Sequence, residues 1–192
     1  VLVLGGTGGV GSVAIQLLKA WGAYVVATCS ADAIDWMHQN TNVDECIDYN
    51  SHQLATYEGT FDFVLDAATR NNLKTIDEQA LRTLKKISKS KYVSITSPLL
   101  RTLDTQGLLF GSLTSLGKAG SDTFRGLRQG VSIRWAFFSP NPAALESIKD
   151  LVEKGQIKAI VEKVYSFNQL PDAYKKVQSG HARGKTVIQI DN

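Results

Sequence analysis

Cysteine is scarce in this chain: of 192 residues only Cys29 and Cys46 are cysteines, and neither belongs to a CxxC pair. A disulfide-built framework is thereby excluded. An excess of either charge is lacking too. The balance of 21 Lys and Arg against 18 Asp and Glu leaves +3, too little for bulk electrostatics to drive binding to nucleic acid or a membrane surface. No apolar run approaches the roughly 20 residues of a membrane-spanning helix. An initiator methionine is also missing, and the first residues, Val1-Leu2-Val3-Leu4, read as a strand already under way. The expectation is a piece of a longer protein. What is present, 43% hydrophobic and 20% charged residues, is the composition of a globular chain rather than a disordered one. The length suits one domain, or one and a fraction.

Hydrophobic periodicity then sets the layout. Val10, Val13, Ala14, Leu17, Leu18 and Trp21 recur in steps of three and four, which predicts a helix over 10–21 with that face inward. Strands are expected at 1–4, 24–28, 45–47, 61–65 and 92–96, with helices over 32–40 and along Ile76, Ala80, Leu81, Leu84 and Ile87. The basic tail of that last helix (Arg82, Lys85, Lys86, Lys89) reads as a solvated helix end rather than a nucleic-acid patch. Residues 107–130, with six glycines, receive no assignment. Beyond them, 131–138 reads as a strand, and Asn141-Pro142 opens a helix ending before Gly155. An extended stretch (160–167), a short helix (170–177) and a last strand (185–190) complete the chain. The alternation predicts an α/β fold, a Rossmann-like doubly wound parallel sheet.

The motif that carries chemistry is Gly5-Gly6-Thr7-Gly8-Gly9-Val10-Gly11, in which Gly6, Gly8 and Gly11 satisfy G-x-G-x-x-G. It follows a predicted strand and opens an amphipathic helix, the context in which such a loop binds a dinucleotide. The first glycine permits the tight turn and the second lets the backbone approach a pyrophosphate. The third allows close helix–strand packing, and the helix N-terminus attracts the anion. An acid about 20 residues beyond the last glycine would grip the ribose hydroxyls of NAD. Here that place holds Cys29 and Ser30, so a 2′-phosphate meets no repulsion there, and the reading leans to NADP. Against it, no Lys or Arg occurs from Val25 to Tyr49, and Asp32 and Asp35 are close in sequence.

Other chemistries find no support. Gly180-His181-Ala182-Arg183-Gly184-Lys185-Thr186 imitates a P-loop but is one residue short between its glycines, and it lies between helix and strand in the wrong order. No tyrosine begins a Tyr-x-x-x-Lys pair, G-x-S-x-G is absent, and His38, His52 and His181 match no zinc spacing. Cys29, at a strand end, reads as a small buried residue.

The glycine loop, the Ile47-Asp48-Tyr49 segment and the closing Gly180-His181-Ala182-Arg183-Gly184-Lys185-Thr186-Val187-Ile188 resemble zinc-free quinone oxidoreductases of the medium-chain dehydrogenase/reductase superfamily. Two further strings, Gln16-Leu17-Leu18-Lys19-Ala20-Trp21-Gly22-Ala23 and Arg134-Trp135-Ala136-Phe137-Phe138, are similar to its reticulon-4-interacting, mitochondrial NADPH oxidoreductase branch. The resemblance implies a nucleotide domain over 1–155, preceded in the whole protein by a GroES-like barrel, with 156–192 returning to that barrel. It implies NADPH as cofactor, a mitochondrial location, and Thr7, Gly9 and Val10 on the pyrophosphate. Ser30 and Tyr49 would lie around the adenosine ribose and its 2′-phosphate. Ala67 and Thr96 would flank the second ribose, and Ala136 and Phe138 the nicotinamide. His181, Ala182 and Arg183 would close the site, with no metal. Arg183 is suited to phosphate by its fork geometry.

The chain departs from the family at Asp66-Ala67-Ala68-Thr69-Arg70, where relatives commonly carry glycine, and in lacking a lysine after the second strand. The implied activity is hydride transfer from NADPH to a quinone or conjugated carbonyl, the acceptor polarised by hydrogen bonds. No residue stands out as general acid. The alternative is a dinucleotide-binding scaffold or sensor in a protein complex, since a Rossmann fold fixes no reaction. Residues 1–192 alone are expected to bind cofactor weakly and turn over poorly.

Overall fold

A computed structural model describes residues 1–68, 76–96, 117, 120–137 and 139–190. Along the chain the elements are β1 (Leu2–Leu4), α1 (Gly11–Ala20), β2 (Val26–Cys29), α2 (Ile34–Thr41), β3 (Glu45–Asp48), β4 (Phe63–Asp66), α3 (Glu78–Arg82) and β5 (Lys91–Ser94). They continue with α4 (residues 120–129), β6 (Ser132–Trp135), α5 (Pro142–Glu153), β7 (Val161–Ser166), α6 (Leu170–Gln178) and β8 (Lys185–Gln189). The chain forms two compact units, Val1–Leu4 with Tyr49–Ser139, and Gly5–Asp48 with Pro140–Asn192.

In the first unit β1, β4, β5 and β6 lie side by side in that order, all parallel. Leu2, Val3, Val64 and Tyr92 on these strands are fully buried. β1 is buried along its whole length, as a parallel strand covered on both faces is, whereas β4, β5 and β6 mix buried with partly exposed positions. The expected helix through Ile76–Ile87 shortens to α3, capped by Asp77, whose Oδ1 accepts from Gln79 N and Ala80 N. Backbone pairing ends it: the Thr83 carbonyl accepts from Thr60 N and Phe61 N, and Lys85 N donates to the Phe61 carbonyl. Ile87 is consequently exposed rather than on a buried helix face. Part of the unassigned glycine-rich stretch is α4.

In the second unit β2 pairs in parallel with β3, from Val26 opposite Glu45 to Cys29 opposite Asp48. All of β2 is buried, Cys29 included. It starts two residues later than the alternation suggests, because Val25 is tied to Asp44: its N–H donates to Oδ2, and its carbonyl accepts from Asp44 N. The helix expected from Asn141-Pro142 is α5, with Asn141 Oδ1 accepting from Ala144 N and Gly155 turning the chain beyond it at φ 68°. β7 and β8 form a separate two-stranded parallel sheet.

The inward face of α1 differs from the expected one. Gly11, Ser12, Ile15 and Gln16 are buried, whereas Val10 and Trp21 are 48% and 66% exposed and Val13, Ala14, Leu17 and Leu18 are half-buried. Two effects rotate the helix. Small side chains at 11 and 12 let it approach closely, and Gln16 is held inward by Lys158, accepting its N–H at 2.8 Å and donating to its carbonyl at 3.1 Å.

Candidate functional site

In the second unit the glycine loop is anchored on the end of β2. Gly5 N donates to Thr28 Oγ1 at 3.1 Å, Gly6 N donates to the Thr28 carbonyl at 2.9 Å, and Gly8 N donates to the Gly5 carbonyl at 3.2 Å. The roles expected of the glycines are redistributed. The left-handed turn residue is Gly5, at φ 75°, not Gly6. Gly6 provides the close packing: a Cβ there would lie 2.7 Å from Met37 Cε, 3.0 Å from Ala27 Cβ and 3.2 Å from Ile15 Cδ1. At Gly11 a Cβ would drive into the Gly5 carbonyl and lie 3.0 Å from Gly6 Cα, so this glycine closes the loop on itself. At Gly8, alone of the three motif glycines, an added Cβ would make no clash, only ordinary contact with the Gly5 oxygen at 3.5 Å.

The helix that follows begins bare. α3 and α5 are capped by side chains, but α1 has neither a side-chain cap nor an acid in its first turn. Its positive end is therefore neutralised by no side chain of its own. An anion beside this loop would meet a helix terminus that no side chain caps, the setting in which helix N-termini bind phosphate.

The tail segment lies against this loop. Gly184 N donates to the Thr7 carbonyl at 2.8 Å, and Gly8 and Gly184 form a parallel bridge. Gly184, at φ 105°, has room for no side chain, since a Cβ would strike the Ile160 backbone. His181, also left-handed at φ 56°, is exposed, with Nδ1 3.3 Å from the Ser179 carbonyl, and Ala182 beside it is half-buried. Lys185 was not singled out by the sequence for this loop, yet its Nζ lies 2.9 Å from where a Gly9 Cβ would stand. Arg183 N donates to Glu162 Oε2 at 3.1 Å, and Glu162 is ion-paired with Lys176 at 2.9 Å. Burial pushes the Glu162 carboxyl up, but the Lys176 ammonium and the Arg183 N–H outweigh it and hold the group below its usual range.

The Arg183 guanidinium reaches the end of β2. There it donates to the Asp32 carboxylate and, at 3.2 Å, to the Asp32 carbonyl. The nearby Ser30 hydroxyl and the Arg183 guanidinium keep the Asp32 carboxyl below the ordinary value. The gap in basic residues from Val25 to Tyr49 is thus filled from a site 151 residues away along the chain. Asp32 carries no more than proximity in the sequence; the salt bridge singles it out.

In the first unit Ala67, Thr96 and Ala136 stand just past the carboxyl ends of β4, β5 and β6, where α/β sheets bind ligands. Ala67 N donates to the Leu4 carbonyl at 3.1 Å, Ala136 N to the Ser94 carbonyl at 2.8 Å, and Thr96 N to Ser94 Oγ at 3.2 Å. Behind Ala67 the wholly buried Asp66 accepts from Tyr92 Oη at 2.5 Å and from Ala68 N at 3.3 Å, while Asp77 N donates to Tyr92 Oη. Tyr49, directly after β3, is exposed. Phe138 lies outside the described residues. Among the described residues no group of three or more His, Cys, Asp or Glu could hold a metal ion, and no helix is long and apolar enough to cross a membrane.

The family described as zinc-binding dehydrogenase matches residues 41–188. Among curated proteins, a Danio rerio protein named NAD(P)H oxidoreductase RTN4IP1, mitochondrial, is 41% identical over 194 residues, covering 99% of this chain and 49% of the relative. The Bos taurus protein of that name is 42% identical, covering 99% and 48%. The chain spans about half the length of these relatives. Among solved structures, the quinone oxidoreductase from Coxiella burnetii superposes with a TM-score of 0.74 at 20% identity, over 99% of this chain and 52% of that one. At that identity the likeness speaks for the fold, and the fold is the Rossmann-like α/β one expected.

Proposed function

The chain belongs to the zinc-binding dehydrogenase family, and from that premise we propose that it is the dinucleotide-binding portion of an NADPH-dependent oxidoreductase that reduces a quinone or conjugated carbonyl without zinc. The observation that carries the reading is Gly8, where an added Cβ would clash with nothing, shortly before the uncapped start of α1. In this reading Gly6, Thr7, Gly8, Gly9, Val10 and Gly11 hold the pyrophosphate, with Lys185 adding a positive charge beside Gly9. Ser30, Tyr49 and Arg183 attend the adenosine ribose and its 2′-phosphate, and His181 and Ala182 close over the loop. Ala67, Thr96, Ala136 and Phe138 take the nicotinamide side. The bound nicotinamide supplies the hydride chemistry. This chain's residues bind and orient the cofactor, and the backbone beyond β4 and β5 is braced by Asp66, Tyr92 and Ser94.

The division into a nucleotide domain over 1–155 and a returning segment over 156–192, completed by a GroES-like barrel elsewhere in the protein, belongs to the same proposal. Relatives of about twice the length support it. Zinc independence is supported by the three histidines, which match no zinc spacing. A mitochondrial location follows the relatives' names.

The test is calorimetric titration of the full-length protein with NADPH and NADH, followed by rapid mixing of the NADPH complex with quinones and enones. The expected result is tighter NADPH binding and loss of nicotinamide absorbance on mixing. Tight binding without transfer to any acceptor would replace the enzyme by a scaffold or sensor. Binding of neither cofactor would overturn the site.

A further inference from the structure

The end of β2 holds an arrangement that the glycine loop does not explain. The guanidinium of Arg183, a group suited to a 2′-phosphate, is brought to the strand end that Ser30 follows, and it is turned onto one carboxylate, that of Asp32. That carboxylate stands in the short turn Ala31–Ala33, which Ser30 opens. Its side chain is 72% exposed and that of Arg183 37%, so the pair is open to a ligand. The same guanidinium nitrogen also donates to the Asp32 carbonyl at 3.2 Å.

We propose that Asp32 sets the choice between 2′-phosphorylated and unphosphorylated dinucleotides, its carboxylate being an internal anion seated on Arg183 that a 2′-phosphate must displace. The proposal rests on the cofactor site described above and adds to it a residue that opposes NADPH.

The carboxylate and a 2′-phosphate compete for the same guanidinium. A guanidinium fork binds a carboxylate or a phosphate, and the same N–H donors cannot serve both at once. An exposed ion pair is weak enough to yield to a dianion. Once displaced, the carboxylate remains tethered two residues from Ser30 and repels the phosphate that replaced it. An unphosphorylated ribose is not repelled, and Asp32 can accept from its 2′-hydroxyl, as an acid near this strand end does in NAD-binding folds. Asp32 therefore handicaps NADPH and tolerates NADH, while Ser30 and Arg183 do the reverse. Specificity then arises from a repulsive element beside an attractive one.

The experiment is a set of titrations of the full-length protein carrying Asp32→Asn, with NADPH, NADH, adenosine 2′,5′-bisphosphate and AMP as probes. NADPH and the bisphosphate are expected to bind roughly fivefold tighter than to wild type, with NADH and AMP unchanged or weaker. Adding Arg183→Met is expected to erase that gain. An unchanged NADPH-to-NADH ratio in Asp32→Asn, or weaker NADPH binding, would overturn the proposal, the latter because Asp32 would then only hold Arg183 in place. Asp32→Ser serves as a second variant if the amide impairs folding, read against the melting temperature. The two readings fail differently. A wild type that binds neither NADPH nor NADH removes the cofactor site and this proposal with it, whereas a wild type that binds both and ignores Asp32 removes the proposal alone.

Discussion

Substitution of the three motif glycines is expected to separate folding from binding, because each meets different atoms. At Gly8 an added Cβ finds only the Gly5 oxygen, at an ordinary 3.5 Å, and the backbone is not left-handed. Gly8→Val should therefore change stability by no more than about 0.5 kcal/mol, like a surface substitution. Its side chain would occupy the place of the pyrophosphate. Losing two charge-assisted hydrogen bonds at about 1.5 kcal/mol or more each weakens cofactor binding at least roughly hundredfold. Gly11→Ala should do the opposite. Its Cβ would press on the Gly5 carbonyl, which cannot retreat without breaking the bonds from Gly6 to Thr28 and from Gly8 to Gly5. Overpacking against backbone belongs at the upper end of about 1–3 kcal/mol, a fall in melting temperature of about 6–12 °C for a chain of this size. Gly6→Ala should fall between them, at about 1 kcal/mol, because the atom it meets first is the flexible end of Met37. Thermal unfolding and calorimetry on the full-length protein measure both quantities. Cofactor affinity unaltered in Gly8→Val, or a Gly8→Val that unfolds as readily as Gly11→Ala, would refute the reasoning.

Two further outcomes follow from buried and half-buried polar groups. Tyr92→Phe takes one donor from the buried Asp66 and one acceptor from Asp77 N, at an expected cost of about 1–3 kcal/mol in urea unfolding; a midpoint equal to wild type would show that the network is not supporting the end of β4. For Asp44, burial pushes the carboxyl up, but Lys19 and the Val25 N–H outweigh it and hold the folded value below the ordinary one. A lowered folded value means stability that is present above the unfolded pKa and lost as pH falls through the folded one. Asp44→Asn should thus lower stability near neutral pH by about 1 kcal/mol or less. The difference from wild type should shrink below roughly pH 4, and a pH-independent difference would contradict the assignment.

The α/β alternation, the strand-to-helix setting of the glycine loop and the Asn141-Pro142 helix start were legible in the sequence because each depends on neighbours in the chain. The apolar runs of β1 and β2 bury wholly in a parallel sheet, glycine at a turn needs no distant partner, and an asparagine caps the helix that follows it. The element ends were less legible. α3 stops at Arg82 because Thr83 and Lys85 pair with Phe61, some twenty residues upstream, and no local signal encodes that pairing.

Tertiary structure alone decided three matters. It turned α1 onto Gly11, Ser12, Ile15 and Gln16, since Lys158 holds Gln16 across 142 residues of sequence, and hydrophobic periodicity is blind to such a polar contact. It assigned the glycines their individual parts, which depend on what stands opposite each one. It also brought Arg183 onto Asp32, so that a strand end lacking any nearby basic residue carries one after all. Short-range patterning can specify which elements form and where a glycine loop meets a helix start. Which charges stand beside that loop depends on chain segments that meet only when the protein is folded.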